Sequence, residues 1–530
     1  MQAELVLFNG RIHTMDNNLP LASAVALAGR RVAAVGDDRD VLTLTDAHTE
    51  RIDLNGRTVL PGFTDAHLHL VEYALSLSQV QLEGVSSCEE AVRRVAERAR
   101  HLPKGEWVRG WGWNRNLWPG ARFPSKDDLD PVTPDHPVYL TSKDGHAAWS
   151  NSLALKRAGL GADTPDPPGG ELVREGATGE LTGVLKERAI DLMAQAAGPM
   201  TLEERTDAIV AACDRLHRLG IVGVHAPEET DGLAALHRLW RMRKLPLRVN
   251  VMIQQDHLDS AVDLGLGSGF GDEFLRLLAV KAFADGSLGT RSADMFEPYD
   301  GEPGNRGIEV TSSEELNRLV AGCAKSGWNV AIHAIGDRAN CRVLDALEEQ
   351  WKVWSQAGMR PRIEHAQLLS PQDAARLGAT GVVASMQPIH CTSDMLMADE
   401  YWGSRCSGAY AWRSVLDSGA ILAFGSDAPV EDPDVLRGVF AAVTRQREDG
   451  TPPGGWHSEQ RLTVPEALRA YTWGAACAGE QEDVGGSLSV GKWGDLVVLS
   501  QDPFSMAPER ILDVRVVATI LGGEVVYRAE

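Results

Sequence analysis

Apolar residues follow two kinds of pattern along this chain. Over residues 4–60 they form short runs cut by turn residues. These are Leu5–Phe8, Asn9-Gly10, Arg11–Met15, then Ser23–Leu27 and Val32–Val35 ahead of Gly36-Asp37-Asp38. Runs of that length predict β-strands, and Asn9-Gly10 between two of them predicts a hairpin. The last fifty residues read alike, with Asp495–Leu499 as a strand and Val514–Leu521, Gly522-Gly523 and Glu524–Tyr527 as a hairpin. Two β-rich ends on an α/β middle predict one small β-sandwich built from both termini, residues 1–58 and 483–530.

In the middle, eight apolar runs end in polar residues: Thr58–His67, Gly220–His225, Leu247–Ile253, Leu277–Phe283, Asn329–His333, Arg362–His365, Gly381–Met386 and Ala420–Asp427. Between most of them lie stretches with 3.6-residue apolar spacing, such as Ser313–Lys325 and Arg338–Gln350. Eight strands, each followed by a helix-compatible stretch, predict a (β/α)8 TIM barrel over residues 59–482. A doubly wound open sheet is the alternative, but no Gly-rich phosphate loop follows the first of these strands. The interval from Leu70 to about Met200 is too long for one connection. It carries its own strands, Trp107–Trp111 and Val138–Thr141, and its own helix, Cys88–Arg100. Residues of about 71–200 therefore read as an insertion after barrel strand 1, on the face where barrel active sites lie.

Candidate chemistry sits at the strand ends. His67, His69, His225, His333 and His365 fall at or just beyond the C-terminal ends of the proposed strands, which converge on one face of a barrel. On an extended strand His67 and His69 point the same way, so both imidazoles can reach one metal ion. His333 and His365 are one βα unit apart, Asp427 lies two units further on, and Lys281 ends the fourth strand. Ligand-type residues thus map to strands 1, 4, 5, 6 and 8.

On these residues the chain resembles the amidohydrolase superfamily, and within it family 3, the branch of YtcJ-like proteins and N-substituted formamide deformylases. The resemblance is carried by Leu60–Leu70, Lys143–Trp149, Val280–Arg291, Ala331–Ala339, Ile363-Glu364-His365-Ala366 and Phe424-Gly425-Ser426-Asp427-Ala428-Pro429, and it runs nearly end to end. It implies a divalent metal, Zn²⁺ foremost, at one or two per chain. His67 and His69 would hold the more buried ion, Lys281 would be a carboxylated (carbamate) bridge, and His333 and His365 would hold the second ion. Asp427 would be both ligand and catalytic acid/base. The chemistry agrees: imidazole and carboxylate suit Zn²⁺, and a buried lysine loses its proton readily enough to take up CO₂. The implied reaction is hydrolysis of a C–N bond, amide or N-formyl, by metal-activated hydroxide, with Asp427 moving the proton.

Other residues have weaker assignments. His146 is expected to contact substrate or the oxyanion, and Arg291 to anchor substrate. Asp285 is read as a partner to neighbouring groups, or as a substrate anchor like Arg291. Trp113, with Trp107, Trp111, Trp118 and Trp149, could wall an apolar substrate pocket or form the insertion's own core. His225 and Cys391 are read as structural, or in the case of His225 as orienting a neighbour.

Composition changes the picture in one direction. The 530 residues carry 52 Lys plus Arg against 74 Asp plus Glu, a net charge of −22. That excess disfavours a nucleic acid or an anionic membrane as partner and leaves a small-molecule substrate. Seven cysteines without a CxxC pair suit a reducing compartment. No basic, apolar leader is visible at Met1–Gly10, and no apolar run is long enough to span a bilayer. A cytoplasmic protein, with a homodimer as the assembly to test for, is the expectation. Two other functions stay open at this point. One is a deaminase or cyclic-amide hydrolase on the same barrel. The other is a catalytically silent barrel serving as a binding scaffold.

Overall fold

Eight parallel strands form the central sheet: β1 (Phe63–Asp65), β2 (Ile221–Glu228), β3 (Arg248–Gln254), β4 (Leu275–Phe283), β5 (Asn329–Ala334), β6 (Arg362–His365), β7 (Val383–Met386) and β8 (Leu422–Phe424). The structure, a computed structural model, describes residues 2–143 and 147–529. Strand order follows chain order from β1 to β8. Every residue of β2 is buried, as a sheet covered on both faces requires. The seam between β1 and β8 is closed by hydrogen bonds just past the strand ends: Ala66 N–H to Phe424 O at 2.9 Å and Asp427 N–H to His67 O at 2.7 Å. The sheet is thus a nearly closed barrel, as the eight runs predicted.

Helices between the strands follow their sequence signals. Ser313–Ser326 starts at Ser312, whose hydroxyl accepts from Glu315 N–H while the Glu315 carboxylate accepts from Ser312 N–H, and it ends at Gly327 with φ 75°. Asp337–Glu349 matches the second amphipathic stretch to within a residue.

The termini build two sheets. One orders Arg31–Gly36, Ala24–Ala28, Leu5–Phe8 and Glu50–Asp53. The other orders Glu524–Arg528, Val516–Leu521, Leu496–Leu499, Thr58–Pro61, Arg11–His13 and Leu21–Ala22. Leu5, Leu7, Ile12, Val25, Val59, Leu496 and Ile520 share one buried cluster between them.

Two local expectations are corrected here. Asn9-Gly10 is a corner between the two sheets and not a hairpin turn. Leu5–Phe8 already pairs with Ala24–Ala28 on one edge and Glu50–Asp53 on the other, leaving no edge for Arg11–His13. The predicted first barrel strand Thr58–His67 is also two strands, parted at Gly62. Its first half pairs with Leu496–Leu499 in the sandwich, and its second half is β1. A Cβ on Gly62 would lie 2.6 Å from a Val222 methyl, so the crossing from sandwich to barrel needs glycine there.

The chain divides into two compact units, Met1–Val71 with Val210–Glu530, and Glu72–Ile209. The second unit has a six-stranded sheet of Gly170–Arg174, Leu181–Glu187, Ala147–Ser150, Val138–Ser142, Val108–Trp113 and Val80–Gln81, with the helix Cys88–Arg100. Trp113, Trp118 and Trp149 pack within its core with ring centroids 6.1–6.4 Å apart, Trp149 edge to face with the other two and Trp113 tilted by 32° to Trp118. Their indole N–H groups donate to the carbonyls of Leu140, Val85 and Ser125. Burial places these three rings in that core, although Trp113 also borders a surface concavity with Asn114, Arg115, Phe123 and Lys143. All seven cysteines are free. Among the described residues, no helix is long and apolar enough to cross a membrane.

Candidate metal centre

The His67-Leu68-His69 segment lies just past the end of β1, so strand alternation is not what aligns its two histidines. The segment is held on both sides instead: Leu68 N–H donates to His225 O on β2, and His69 N–H donates to Ala428 O beyond β8, each at 3.0 Å. Asp65 takes His67 N–H at 3.0 Å and Ser426 N–H at 3.1 Å, tying the two strand ends together. Burial pushes the Asp65 carboxyl up to about 7, against those hydrogen bonds.

In this setting His67 Nε2 and His69 Nε2 lie 3.4 and 3.3 Å from the same oxygen, Asp427 Oδ1. His67 is 1% exposed, and its Nε2 makes no hydrogen bond. Its other ring nitrogen, Nδ1, sits 2.5 Å from Glu364 Oε2, which fixes the tautomer that leaves Nε2 as a lone-pair donor. His365 repeats the arrangement, with Nδ1 at 2.9 Å from Gln387 Oε1. Burial, more than any neighbouring charge, holds both imidazoles below their usual range, so they are neutral, as a ligand must be. Burial opposes ionisation of Asp427, but interactions led by the His69 hydrogen bond outweigh it and keep the carboxyl well below its usual range.

His365 and Asp427 also share a backbone feature. Both have positive φ, 71° and 60°, a left-handed conformation unusual for residues other than glycine. Two strained residues at the ends of β6 and β8, with β7 between them, both bear ligand-type side chains and fit a site whose geometry the surrounding barrel enforces.

Around these ligands runs a buried polar network. Arg362, 1% exposed, donates to Glu364, to Ala66 O, to Ser385 Oγ and to His225 Nδ1. His225 is therefore an acceptor that steadies Arg362. Its pKa is held well below the usual value by burial first and by Arg362 second.

Lys281 is 1% exposed, with Nζ 4.7 Å from the Phe283 ring centroid. Burial pushes its ammonium down to about 8, against the pull of Glu364 and Asp427. His333 ends β5 with its ring 4.5 Å from that of His365. Its Nε2 donates to Gly286 O at 2.9 Å and stands 3.6 Å from Asp285 Oδ1. Asp285 itself accepts the backbone N–H groups of Asp294, Ile335 and Gly336, pinning the loop after β4. Arg291 pairs with Glu302 and lies over the Tyr401 ring at 4.2 Å. The expectation for His146 lies outside the described residues.

The structure brings His67, His69, His365 and Asp427 together, with Lys281 and His333 on the neighbouring strand ends. Sequence reasoning missed His390, whose Nε2 lies 3.8 Å from Asp427 Oδ2. It also missed the supporting roles of Glu364, Arg362 and Gln387. Glu364 and Arg362 were within reach, since they precede His365 in one short strand. His390 follows Gln387-Pro388 at a helix start beyond β7, where a ligand search confined to strand ends does not look.

The donor set fits a divalent ion. One ligand atom from each of His67, His69 and Asp427 lies within 4.8 Å of the others, and the same holds for His365, His390 and Asp427. Two histidines and a carboxylate are an ordinary ligand set for catalytic zinc.

Known proteins resemble this chain over most of its length. A model of the amidohydrolase family matches residues 50–527. The putative amidohydrolase YtcJ of Bacillus subtilis is 34% identical over 486 residues, covering 90% of each chain. The N-substituted formamide deformylase of Arthrobacter pascens is 30% identical over 542 residues, covering 99% of this chain and 98% of its own. Among solved structures, an uncharacterized metal-dependent hydrolase from Pyrococcus furiosus superposes with a TM-score of 0.76 at 32% identity, covering 94% of this chain and all of the other. With the family model matching most of the chain and these relatives, at 34% and 30% identity, matching nearly all of it, the chain belongs to the amidohydrolase family.

Proposed function

We propose that this chain is a metal-dependent hydrolase that cleaves the C–N bond of an amide, with N-formyl compounds as the substrate class to try first. The observation that carries the reading is the convergence of His67, His69 and His365 on Asp427, with Glu364 and Gln387 fixing which imidazole nitrogens face inward. The N-formyl choice is supported by the printed activity of the Arthrobacter relative. When bound, a divalent ion, Zn²⁺ by ligand type, would polarise the scissile carbonyl and make water nucleophilic at neutral pH. The protein's share is positional and protonic. Glu364 and Arg362 keep His67 from turning. The Asp427 carboxylate, ionised in spite of its burial, is placed to accept the proton of the attacking water and return it to the leaving nitrogen.

Purified without chelator, the protein is expected to hold at least about one metal per chain. Stripped of it, the protein should lose hydrolysis of N-formyl amines and regain it on adding Zn²⁺. Substoichiometric metal, or no C–N cleavage across N-formyl amines, N-acyl amino acids and cyclic ureides, would sink this reading.

Lys281 is assigned to a carbamate within the same reading. A buried amine pushed down to about 8 has an appreciable neutral fraction at working pH, and the neutral amine adds CO₂. Lys281→Ala is expected to lose metal and activity, and added short carboxylates should restore part of both. Metal content equal to wild type in that variant would remove the carbamate.

A further inference from the structure

Charge is segregated along two consecutive βα units of the barrel. Residues 232–255 hold five Lys or Arg and no Asp or Glu, whereas residues 249–275 hold five Asp or Glu and no Lys or Arg. Part of this charge is satisfied locally. Arg248 pairs with Asp495 and Glu273, and Asp272 accepts from the Trp240 indole. The rest is not. Arg238, Arg241, Arg243 and Lys244 stand at and just past the end of helix Thr230–Arg241, exposed and with no ion pair among the described residues. Asp256, Asp259 and Asp263, on and just before helix Leu258–Asp263, are in the same state.

These two groups belong to one surface. The Trp240–Asp272 hydrogen bond, at 2.8 Å, ties the end of the basic helix to the segment that follows the acidic one. Trp240, Arg243, Lys244, Asp272 and Phe274 border a common concavity of about 570 Å³. Large apolar side chains stand exposed beside both groups: Leu264 at 75%, Phe270 at 60% and Met242 at 49%. Their backbone is fixed. Gly269 N–H donates to Leu277 O and Leu277 N–H to Phe270 O, each at 2.8 Å, and the Trp328 indole donates to Leu266 O. Apolar groups held out in water on a rigid segment gain from being covered.

The charges say by what. A wholly acidic partner would cover the cations but set like charge against Asp256, Asp259 and Asp263. A second copy related by a two-fold axis meets each sign with its opposite, because one face carries both. We propose that this face is the interface of an isologous dimer. Asp259 and Asp263 of one copy meet Arg241 and Arg243 of the other, and Leu264 and Phe270 close the centre.

The mass of the full chain in solution tests this, by light scattering after size exclusion and by sedimentation equilibrium. Wild type is compared with Arg241→Glu/Arg243→Glu, Asp259→Lys/Asp263→Lys and Leu264→Asp. Wild type is expected at twice the 57.3 kDa chain mass. Each variant alone should dissociate, its Kd raised by about 100-fold or more in the charge reversals, where like charges come face to face. Mixing the two charge-reversed chains should restore the dimer, since each then carries the sign the other lacks. That rescue also shows that both are folded, and thermal melting checks Leu264→Asp. A wild-type monomer at every concentration overturns the proposal and leaves the face to a different protein. A dimer that any of the three variants keeps unchanged overturns it too, as does a mixture that stays monomeric.

Discussion

Replacing Asp427 by asparagine is expected to lower turnover by about 10²–10⁴-fold, the usual contribution of a positioned acid/base. Asparagine is the informative choice because residue 427 has φ 60°, a conformation that asparagine tolerates far better than alanine. A loss in Asp427→Ala would mix backbone strain with lost chemistry. The Asn variant keeps one carbonyl-type oxygen but carries no charge and accepts no proton. Because the carboxylate touches both imidazole pairs, metal content should fall as well, though less than turnover. Steady-state rates with metal counted on the same samples check this. Turnover within a few fold of wild type would reassign the proton to another group.

The second large effect belongs to Arg362. Its guanidinium donates to Glu364 through Nε and Nη2, and to Ala66 O, Ser385 Oγ and His225 Nδ1, with both Arg362 and Glu364 essentially removed from solvent. Arg362→Met strands a buried carboxylate, and removing one partner of such a pair costs about 3–5 kcal/mol. Denaturant midpoints of the metal-free protein read this directly. The double variant Arg362→Met/Glu364→Gln should recover part of the loss, because no uncompensated ion remains. A single-variant loss below about 1 kcal/mol, the level of an exposed pair, would show that the network does not hold the barrel interior. The Glu364 carboxyl stays well below its usual range despite full burial, since Arg362 and His67 outweigh the desolvation. Losing Arg362 therefore also loosens the group that orients His67.

Much of this was legible before any coordinates. The eight strands and the helix Cys88–Arg100 follow from apolar periodicity, because burial on one face or both leaves that record in the sequence. The ligand residues His67, His69, His365 and Asp427 stood at strand ends, and a parallel barrel brings such ends together whatever its loops do. Where reading failed, the deciding facts were pairings. Asn9-Gly10 carries a hairpin signature, yet both edges of Leu5–Phe8 were taken by strands far along the chain. Thr58–His67 is one apolar run, but Gly62 splits it between two sheets through a close approach to Val222.

The sequence by itself determined the barrel and the two-ended sandwich, which rest on periodicity, and through its resemblance to a known family the kind of chemistry, with ligand-type residues at the strand ends in keeping with it. Tertiary structure alone decided which nitrogen of each histidine faces inward, that Arg362 and Glu364 form the buried pair behind His67, and that His390 turns toward Asp427 while His333 turns toward Gly286. Those choices depend on hydrogen bonds between residues up to 297 positions apart, as from His67 to Glu364. Periodicity along the chain carries no trace of such bonds, since it records how deeply a residue is buried and not which partner it meets there.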